Sequence, residues 1–158
     1  MAEQATGTTK KATILVADDD PDDRMMIEDA CEEASLAGHL HFVEDGEQLL
    51  AYLRGEGAYA DRAGQPFHGI ILLDLNMPRM DGREALREIK GDPALKRIPV
   101  VVLTTSEADE DIARTYGLGV NSFITKPVTF EGLVDVVRAL SNYWLQIVTV
   151  PTGDGAPD

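Results

Sequence analysis

Aspartates crowd one short segment of the chain. Five of the nine residues in VADDDPDDR, positions 16–24, are aspartates, and they follow the apolar run Ile14-Leu15-Val16 with almost no gap. Another aspartate, Asp74, follows the apolar run Ile70–Leu73. Two carboxylates about 4 Å apart repel each other by roughly 4 kcal/mol at an effective dielectric near 20, so a close group of them needs a cation. Because Mg²⁺ takes oxygen ligands from two or three protein groups and keeps several waters, a Mg²⁺ site is predicted wherever the fold joins these residues.

The order of apolar runs predicts an α/β fold, because runs of strand length alternate with segments of helical periodicity. The predicted strands are Thr13–Ala17, His41–Val43, Ile70–Leu73, Val100–Leu103 and Ser122–Thr125. The predicted helices are Pro21–Leu36, Glu47–Arg54, Arg83–Lys90, Asp109–Tyr116 and a last helix that starts near Thr129. The glycine-rich segment Gly55–Gln65 is predicted to be a loop. Five strands alternating with five helices imply a doubly wound, five-stranded parallel sheet with helices on both faces.

Ligands of such sheets bind beyond the carboxyl ends of the strands, and several reactive residues fall there. Asp18 and Asp19 follow the first strand, and Asp74 follows the third. The fourth strand leads to Thr104 and the fifth to Lys126. A carboxylate beside Mg²⁺ and a lysine can attack a phosphoryl group, because the two cations neutralise the phosphoryl oxygens during transfer. Asp74 is the best nucleophile, and the Thr104 hydroxyl could then bond the new phosphoryl oxygen.

The other three aspartates of the segment are explained by the start of a helix. Asp20 precedes Pro21, which is the pattern of an N-cap followed by proline at the first helical position. Asp22 and Asp23 then fall in the first turn, where the helix dipole favours negative charge. These three residues are therefore predicted to be structural.

Four motifs resemble those of the receiver domains of two-component response regulators: ILVADDDP, GIILLDLNMPRMDG, IPVVVLTTS and NSFITKP. They occur in the same order and with similar spacing, and the resemblance extends from Thr13 to Leu140. It implies the flavodoxin-like receiver fold. It also implies that Asp74 accepts a phosphoryl group from a histidine kinase in a Mg²⁺-dependent reaction. Such a protein is a conformational switch and not an enzyme that acts on other substrates.

The resemblance assigns roles to the residues around Asp74. The Mg²⁺ ligands would be Asp19, Asp74, the backbone carbonyl of Asn76 and, through water, Asp18. The residues that bind the phosphoryl group or move with it would be Thr104, Thr105, Phe123 and Lys126. The Lys126–Pro127 peptide bond is expected to be cis.

The two ends of the chain are predicted to differ from the body. Residues 1–10 and 149–158 should be disordered tails, and residues 11–148 a receiver domain with an extended last helix. The apolar segment SNYWLQIVTVP predicts a homodimer through the last helix and the neighbouring face of the fourth helix and fifth strand. The alternative is that the segment folds back over its own sheet. This ending, the long loop 55–68 and the LTTS motif resemble regulators paired with bacterial phytochrome histidine kinases, so such a kinase is the expected partner.

Composition limits the partners and the location. The net charge of -14 argues against nucleic acid, whose phosphates would be repelled. The chain has a single cysteine, Cys31, and no apolar run of about 18 residues that could cross a bilayer. No membrane contact and a cytoplasmic location are therefore predicted.

Three alternative functions conflict with the residues of this chain. A phosphatase of the haloacid dehalogenase type needs a second carboxylate two residues after Asp74, where this chain has Asn76. A calcium loop starting at Asp18 needs glycine at its sixth position and glutamate at its twelfth, where Asp23 and Asp29 stand. An aspartate cluster would repel the phosphate of a flavin. A degenerate receiver that serves only as a protein-interaction module stays open.

Overall fold

One parallel sheet forms the centre of the computed structural model, which describes residues 13–35, 39–104, 117, 120, 122–127 and 129–140. Its strands are β1 (Thr13–Ala17), β2 (His39–Val43), β3 (Gly69–Leu73), β4 (Val100–Thr104) and β5 (Ser122–Thr125). They pair in the order β2-β1-β3-β4-β5, and every pair is parallel. The predicted five-stranded parallel sheet is confirmed, and β3 lies at its centre.

Four helices are found within the described residues: α1 (Pro21–Glu33), α2 (Gly46–Arg54), α3 (Gly82–Gly91) and the last helix, residues 130–140. The predicted helix 109–116, both predicted tails and the apolar segment 141–151 lie outside those residues. Helix α1 ends three residues before the predicted Leu36, because Ser35 takes a left-handed conformation with φ 63°. Among the described residues, none of the helices has both the length and the apolar character of a membrane span.

The segment Gly55–Gln65 is not the simple loop that its glycines predict. A short 3-10 helix occupies Gly57–Arg62. Its Tyr59 packs edge-on against Tyr52 of α2, with ring centroids 5.0 Å apart, and against His41 of β2. The aromatic contacts hold a segment whose local composition favours an irregular loop, which is why the sequence pattern missed it.

Helices α1, α2 and α3 each begin at an aspartate. Asp20 accepts a hydrogen bond from the Asp22 N–H, and Asp45 accepts one from the Gln48 N–H. Asp81 caps α3 in the same way and forms a reciprocal capping box with Glu84. Such a cap is worth about 1 kcal/mol. The caps end the strand-to-helix loops at fixed points, and these loops form the carboxyl edge of the sheet.

Alternate residues of the strands face two separate cores. The face toward α2 and α3 contains Leu15, Ala17, Ile71, Leu73, Val100 and Val102. The face toward α1 and the last helix contains Ile14, Val16, Ile70, Leu72, Val101 and Leu103. Since both faces are covered, the three central strands β1, β3 and β4 are apolar except at their ends, as expected for a buried parallel sheet. Their polar neighbours are therefore confined to the strand ends.

Candidate functional site

Asp18 and Asp74 lie side by side at the carboxyl edge because each follows directly after a paired strand. The Asp18 N–H donates a hydrogen bond to the Val43 carbonyl, and the Asp74 N–H donates one to the Ala17 carbonyl, each at 3.0 Å. Both residues are buried, with exposed fractions of 1% and 7%. Asp19 is exposed. One carboxylate oxygen from each of the three lies within 4.8 Å of the others.

The two buried carboxylates are oriented by their own loops. Asp18 Oδ1 accepts a hydrogen bond from the Asp20 N–H at 3.0 Å. Asp74 Oδ1 accepts one from the Asn76 N–H at 3.1 Å. Both are turns in which an aspartate bonds the backbone two residues ahead. The Oδ2 atom of each carboxylate is thereby directed toward Lys126.

Lys126 follows β5 and joins three carboxylates. Its Nζ donates to Oδ2 of Asp18 at 2.7 Å, of Asp23 at 2.6 Å and of Asp74 at 3.1 Å. Burial alone would lower the pKa of Lys126, but the hydrogen bonds to Asp18 and Asp23 outweigh it and raise the pKa above its ordinary value. The ammonium therefore stays charged throughout the physiological pH range.

Negative charge still exceeds positive charge at this edge. Burial raises the pKa of Asp18 above its ordinary value, although the hydrogen bond from Lys126 opposes the shift. The carboxylates of Asp18, Asp23 and Asp74 contact one ammonium, and Asp19 adds a fourth carboxylate close to Asp18 and Asp74. The three oxygens that lie close together are hard ligands, so the donor set fits a divalent cation that prefers oxygen.

Asp23 belongs to this group, although the sequence pattern explained it by the helix start alone. It does lie in the first turn of α1, as predicted. Its carboxylate also forms the shortest of the three contacts with Lys126. Residues 23 and 126 are 103 positions apart, so the contact depends on how α1 and the end of β5 pack. The sequence feature that could have predicted the contact is the closeness of Asp23 to the site, since the first turn of α1 begins three residues after Asp18.

The other predicted site residues are placed as follows. Asn76 is exposed beside Asp74, and Phe123 packs against the core on the α2 and α3 face. Thr104 is the last residue of β4 and pairs with Thr125, one residue before Lys126. Thr105 lies outside the described residues. The expected cis bond before Pro127 is wrong, because the described residues contain no cis peptide bond; the trans form is the ordinary preference of X–Pro bonds.

The loop between Asp74 and α3 is anchored to the start of α2. The Gly46 N–H donates to the Met80 carbonyl at 2.7 Å, and a Cβ on Gly46 would lie 2.6 Å from that oxygen. The Gly82 N–H donates to the Leu75 carbonyl at 2.9 Å. These contacts hold the backbone after Asp74 at both of its ends.

Comparison with known proteins agrees with this arrangement. The chain matches the family of the response regulator receiver domain over residues 14–138. It is 39% identical to the response regulator Rcp1 of Synechocystis sp. over 138 residues, which are 87% of this chain and 92% of that protein.

Two solved structures are similar along almost their whole length. The phosphorylated cyanobacterial phytochrome response regulator RcpA is 42% identical with a TM-score of 0.80, covering 90% of this chain and 99% of that one. The Mn²⁺-bound form of Rcp1 is 38% identical with a TM-score of 0.78, covering 89% and 99%. Receiver domains are signalling proteins, and a divalent-cation site beside a phosphoacceptor is consistent with the acidic group of Asp18, Asp19 and Asp74. This protein belongs to the response regulator receiver family.

Proposed function

We propose that Asp74 accepts a phosphoryl group from the phosphohistidine of a histidine kinase, and that the modified site switches the protein for a partner. The observation that carries the proposal is the position of the Asp74 carboxylate. It stands at the end of the central strand, 3.1 Å from Lys126 and within 4.8 Å of the Asp18 and Asp19 oxygens. A nucleophile flanked by an ammonium and two further carboxylates suits phosphoryl transfer.

The transfer would replace a phosphorus–nitrogen bond on the kinase by a phosphorus–oxygen bond on Asp74. An Asp74 carboxylate oxygen forms a bond to phosphorus while the phosphorus–nitrogen bond to the kinase imidazole breaks. The bonding pair returns to the imidazole nitrogen, and a proton from solvent makes the leaving ring a neutral imidazole. Lys126 offsets the charge on the phosphoryl oxygens, and the Asn76 N–H holds the Asp74 carboxylate in position. Thr104, Thr105 and Phe123 complete the proposed phosphoryl-binding and switch residues.

Magnesium is the proposed cofactor. Asp18, Asp19, Asp74 and the Asn76 carbonyl would hold it, and when bound it supplies positive charge to the phosphoryl oxygens. All of these ligands are oxygens, which favours Mg²⁺ or Mn²⁺ over softer metals. The acidic group and the Mn²⁺-bound relative support a divalent cation here. The choice of Mg²⁺ follows from its usual role in phosphoryl transfer.

Intact mass after incubation with Mg²⁺ and acetyl phosphate tests this function. Wild type should gain one phosphoryl group, and both Asp74→Asn and a chelator should prevent the gain. Asp22→Asn, which removes an exposed carboxylate a few residues from the site, should leave the gain intact. A phosphoryl group that is absent from wild type would favour the degenerate receiver instead.

The proposed partners are a histidine kinase of the phytochrome type and a second copy of this chain. The kinase is supported by the similarity to a phytochrome response regulator. The homodimer would use the last helix together with the face formed by the predicted helix 109–116 and β5. We propose that the protein works in the cytoplasm and does not bind nucleic acid. Sedimentation of the chain truncated after Leu140 tests it: the dimer should be lost, and an unchanged oligomer would contradict the proposal.

A further inference from the structure

Asp23 differs from the other two partners of Lys126 in its access to water. The Asp23 side chain is 34% exposed, whereas those of Asp18 and Asp74 are 2% and 8% exposed. Its contact with Lys126 is nevertheless the shortest, at 2.6 Å. Since a carboxylate is costly to leave unpaired when buried, Asp23 is the partner that Lys126 can release at least cost.

All three hydrogen-bond donors of the Lys126 ammonium are in use. It carries three N–H groups, and its three contacts are with three different carboxylates. A phosphoryl oxygen on Asp74 needs at least one of these groups. The ion pair with the Asp74 carboxylate ends when that group is phosphorylated, and the charged phosphoryl group then competes with Asp23 for the ammonium.

The same contact matters before phosphorylation. A divalent cation held by Asp18, Asp19 and Asp74 would repel the Lys126 ammonium from the carboxylates that they share. Asp23 is not one of the three residues whose oxygens lie within 4.8 Å of one another. It therefore offers the ammonium a partner beside the metal site and not within it.

We infer that Asp23 is a holding residue for Lys126. It draws the ammonium away from Asp18 and Asp74 when a divalent cation binds, and it gives the ammonium up to the phosphoryl group on Asp74. Asp23 acts only through Lys126 and is a positioning residue. The inference rests on the proposed function, because the second half requires a phosphoryl group at Asp74.

Asp23→Asn tests the inference, with Asp22→Asn as its matched control. Both substitutions remove one charge from the first turn of α1. Of the two residues, Asp23 contacts Lys126, whereas Asp22 is not among the hydrogen-bond or ion-pair partners of that lysine. Titration calorimetry would measure Mn²⁺ binding to the full chain, then binding of beryllofluoride, a phosphoryl mimic, at saturating Mg²⁺.

We expect opposite changes in the two affinities. Relative to Asp22→Asn, Asp23→Asn should bind Mn²⁺ about threefold more weakly, because Lys126 then stays on Asp18 and Asp74. A change in affinity of about threefold is what the loss of one partly exposed ion pair is expected to produce. It should bind beryllofluoride about threefold more tightly, because no contact to Asp23 must be broken. In a Lys126→Gln background, Asp23→Asn and Asp22→Asn should behave alike.

Other results would overturn the inference. Weaker binding of both ligands would indicate a merely structural role for Asp23. Equal changes in the Asp22 and Asp23 variants would show a general effect of charge. If wild type binds Mn²⁺ but neither beryllofluoride nor a phosphoryl group, the proposed function fails, while the Mn²⁺ comparison and the Lys126→Gln background still test the holding contact.

Discussion

Arg79 reaches back from the loop after Asp74 and places its Nη2 and Nε atoms 2.6 and 2.7 Å from Oδ2 of Asp45. The Asp45 side chain is 1% exposed, and its Oδ1 accepts the Gln48 N–H that starts α2. One carboxylate therefore caps α2 and fixes the loop that carries the proposed phosphoacceptor. Arg79 itself adopts a left-handed backbone with φ 59°, which this pair helps to hold.

Removing the Asp45 carboxylate should destabilise the protein. Asp45→Ala loses the cap of α2 and the partner of Arg79, so the free energy of unfolding should fall by about 1–2 kcal/mol. Asp45→Asn keeps a capping oxygen and should cost less. Urea unfolding of both variants measures the difference, and equal losses would mean that the cap contributes nothing.

Much of the site follows from the sequence because strand ends can be recognised there. The apolar runs before Asp18 and Asp74 set both the strands and their carboxyl ends, and parallel pairing then brings the two aspartates together. The contact between Asp23 and Lys126 has no such signal, since it joins a helix turn to the end of a distant strand. The charge of Asp23 was already explained locally by its place in the first turn of α1, where the helix dipole favours a carboxylate.

The 3-10 helix at Gly57–Arg62 was missed for a related reason. Its composition is that of a turn, and its stability comes from rings supplied by other elements, Tyr52 on α2 and His41 on β2. The Arg62 guanidinium also lies 4.2 Å from the centre of the Tyr52 ring. Short-range patterns report the segment itself and not the partners against which it packs.

Gly82 should tolerate no side chain, because a Cβ there would overlap the backbone carbonyl of Asp74. Gly82→Ala should therefore lower the free energy of unfolding by about 1–3 kcal/mol, as overpacking does, and shift the Asp74 loop. Gly91→Ala is the matched control at the other end of α3, where a Cβ meets nothing within 4 Å. It should be neutral or stabilise by up to about 1 kcal/mol. Thermal or urea unfolding would decide, and similar effects of both substitutions would argue against the close contact.

Cys31 should make the protein less stable at alkaline pH. Burial, followed by the charge of Glu28, raises the pKa of this thiol from 9.0 to about 11. Between these values the unfolded chain releases the proton and the folded chain keeps it, so stability falls as pH rises. The loss could reach about 2–3 kcal/mol at roughly 1.4 kcal/mol per pKa unit.

The comparison for Cys31 is urea unfolding at pH 8 and pH 10.5, in wild type and in Cys31→Ala. The alanine variant should be less stable at pH 8, because it leaves a small cavity in the core beside α1. It should nevertheless lose less stability on going to pH 10.5. An identical loss in both proteins would assign the alkaline effect to other groups.

Divalent cations should stabilise the folded protein through the acidic group that includes Asp19. A ligand that binds only the folded state adds about 2.7 kcal/mol at a concentration of 100 times its dissociation constant, so Mg²⁺ should raise the unfolding midpoint. Asp19→Asn removes one carboxylate of the group but is an exposed change that should leave the sheet intact. Its midpoint should therefore respond much less to Mg²⁺.

Asp29→Asn is the control for Asp19→Asn. Because Asp29 is an exposed residue of α1 that lies outside the acidic group, its variant should keep the full response to Mg²⁺. Equal responses in the Asp19 and Asp29 variants would place the cation elsewhere on the acidic surface.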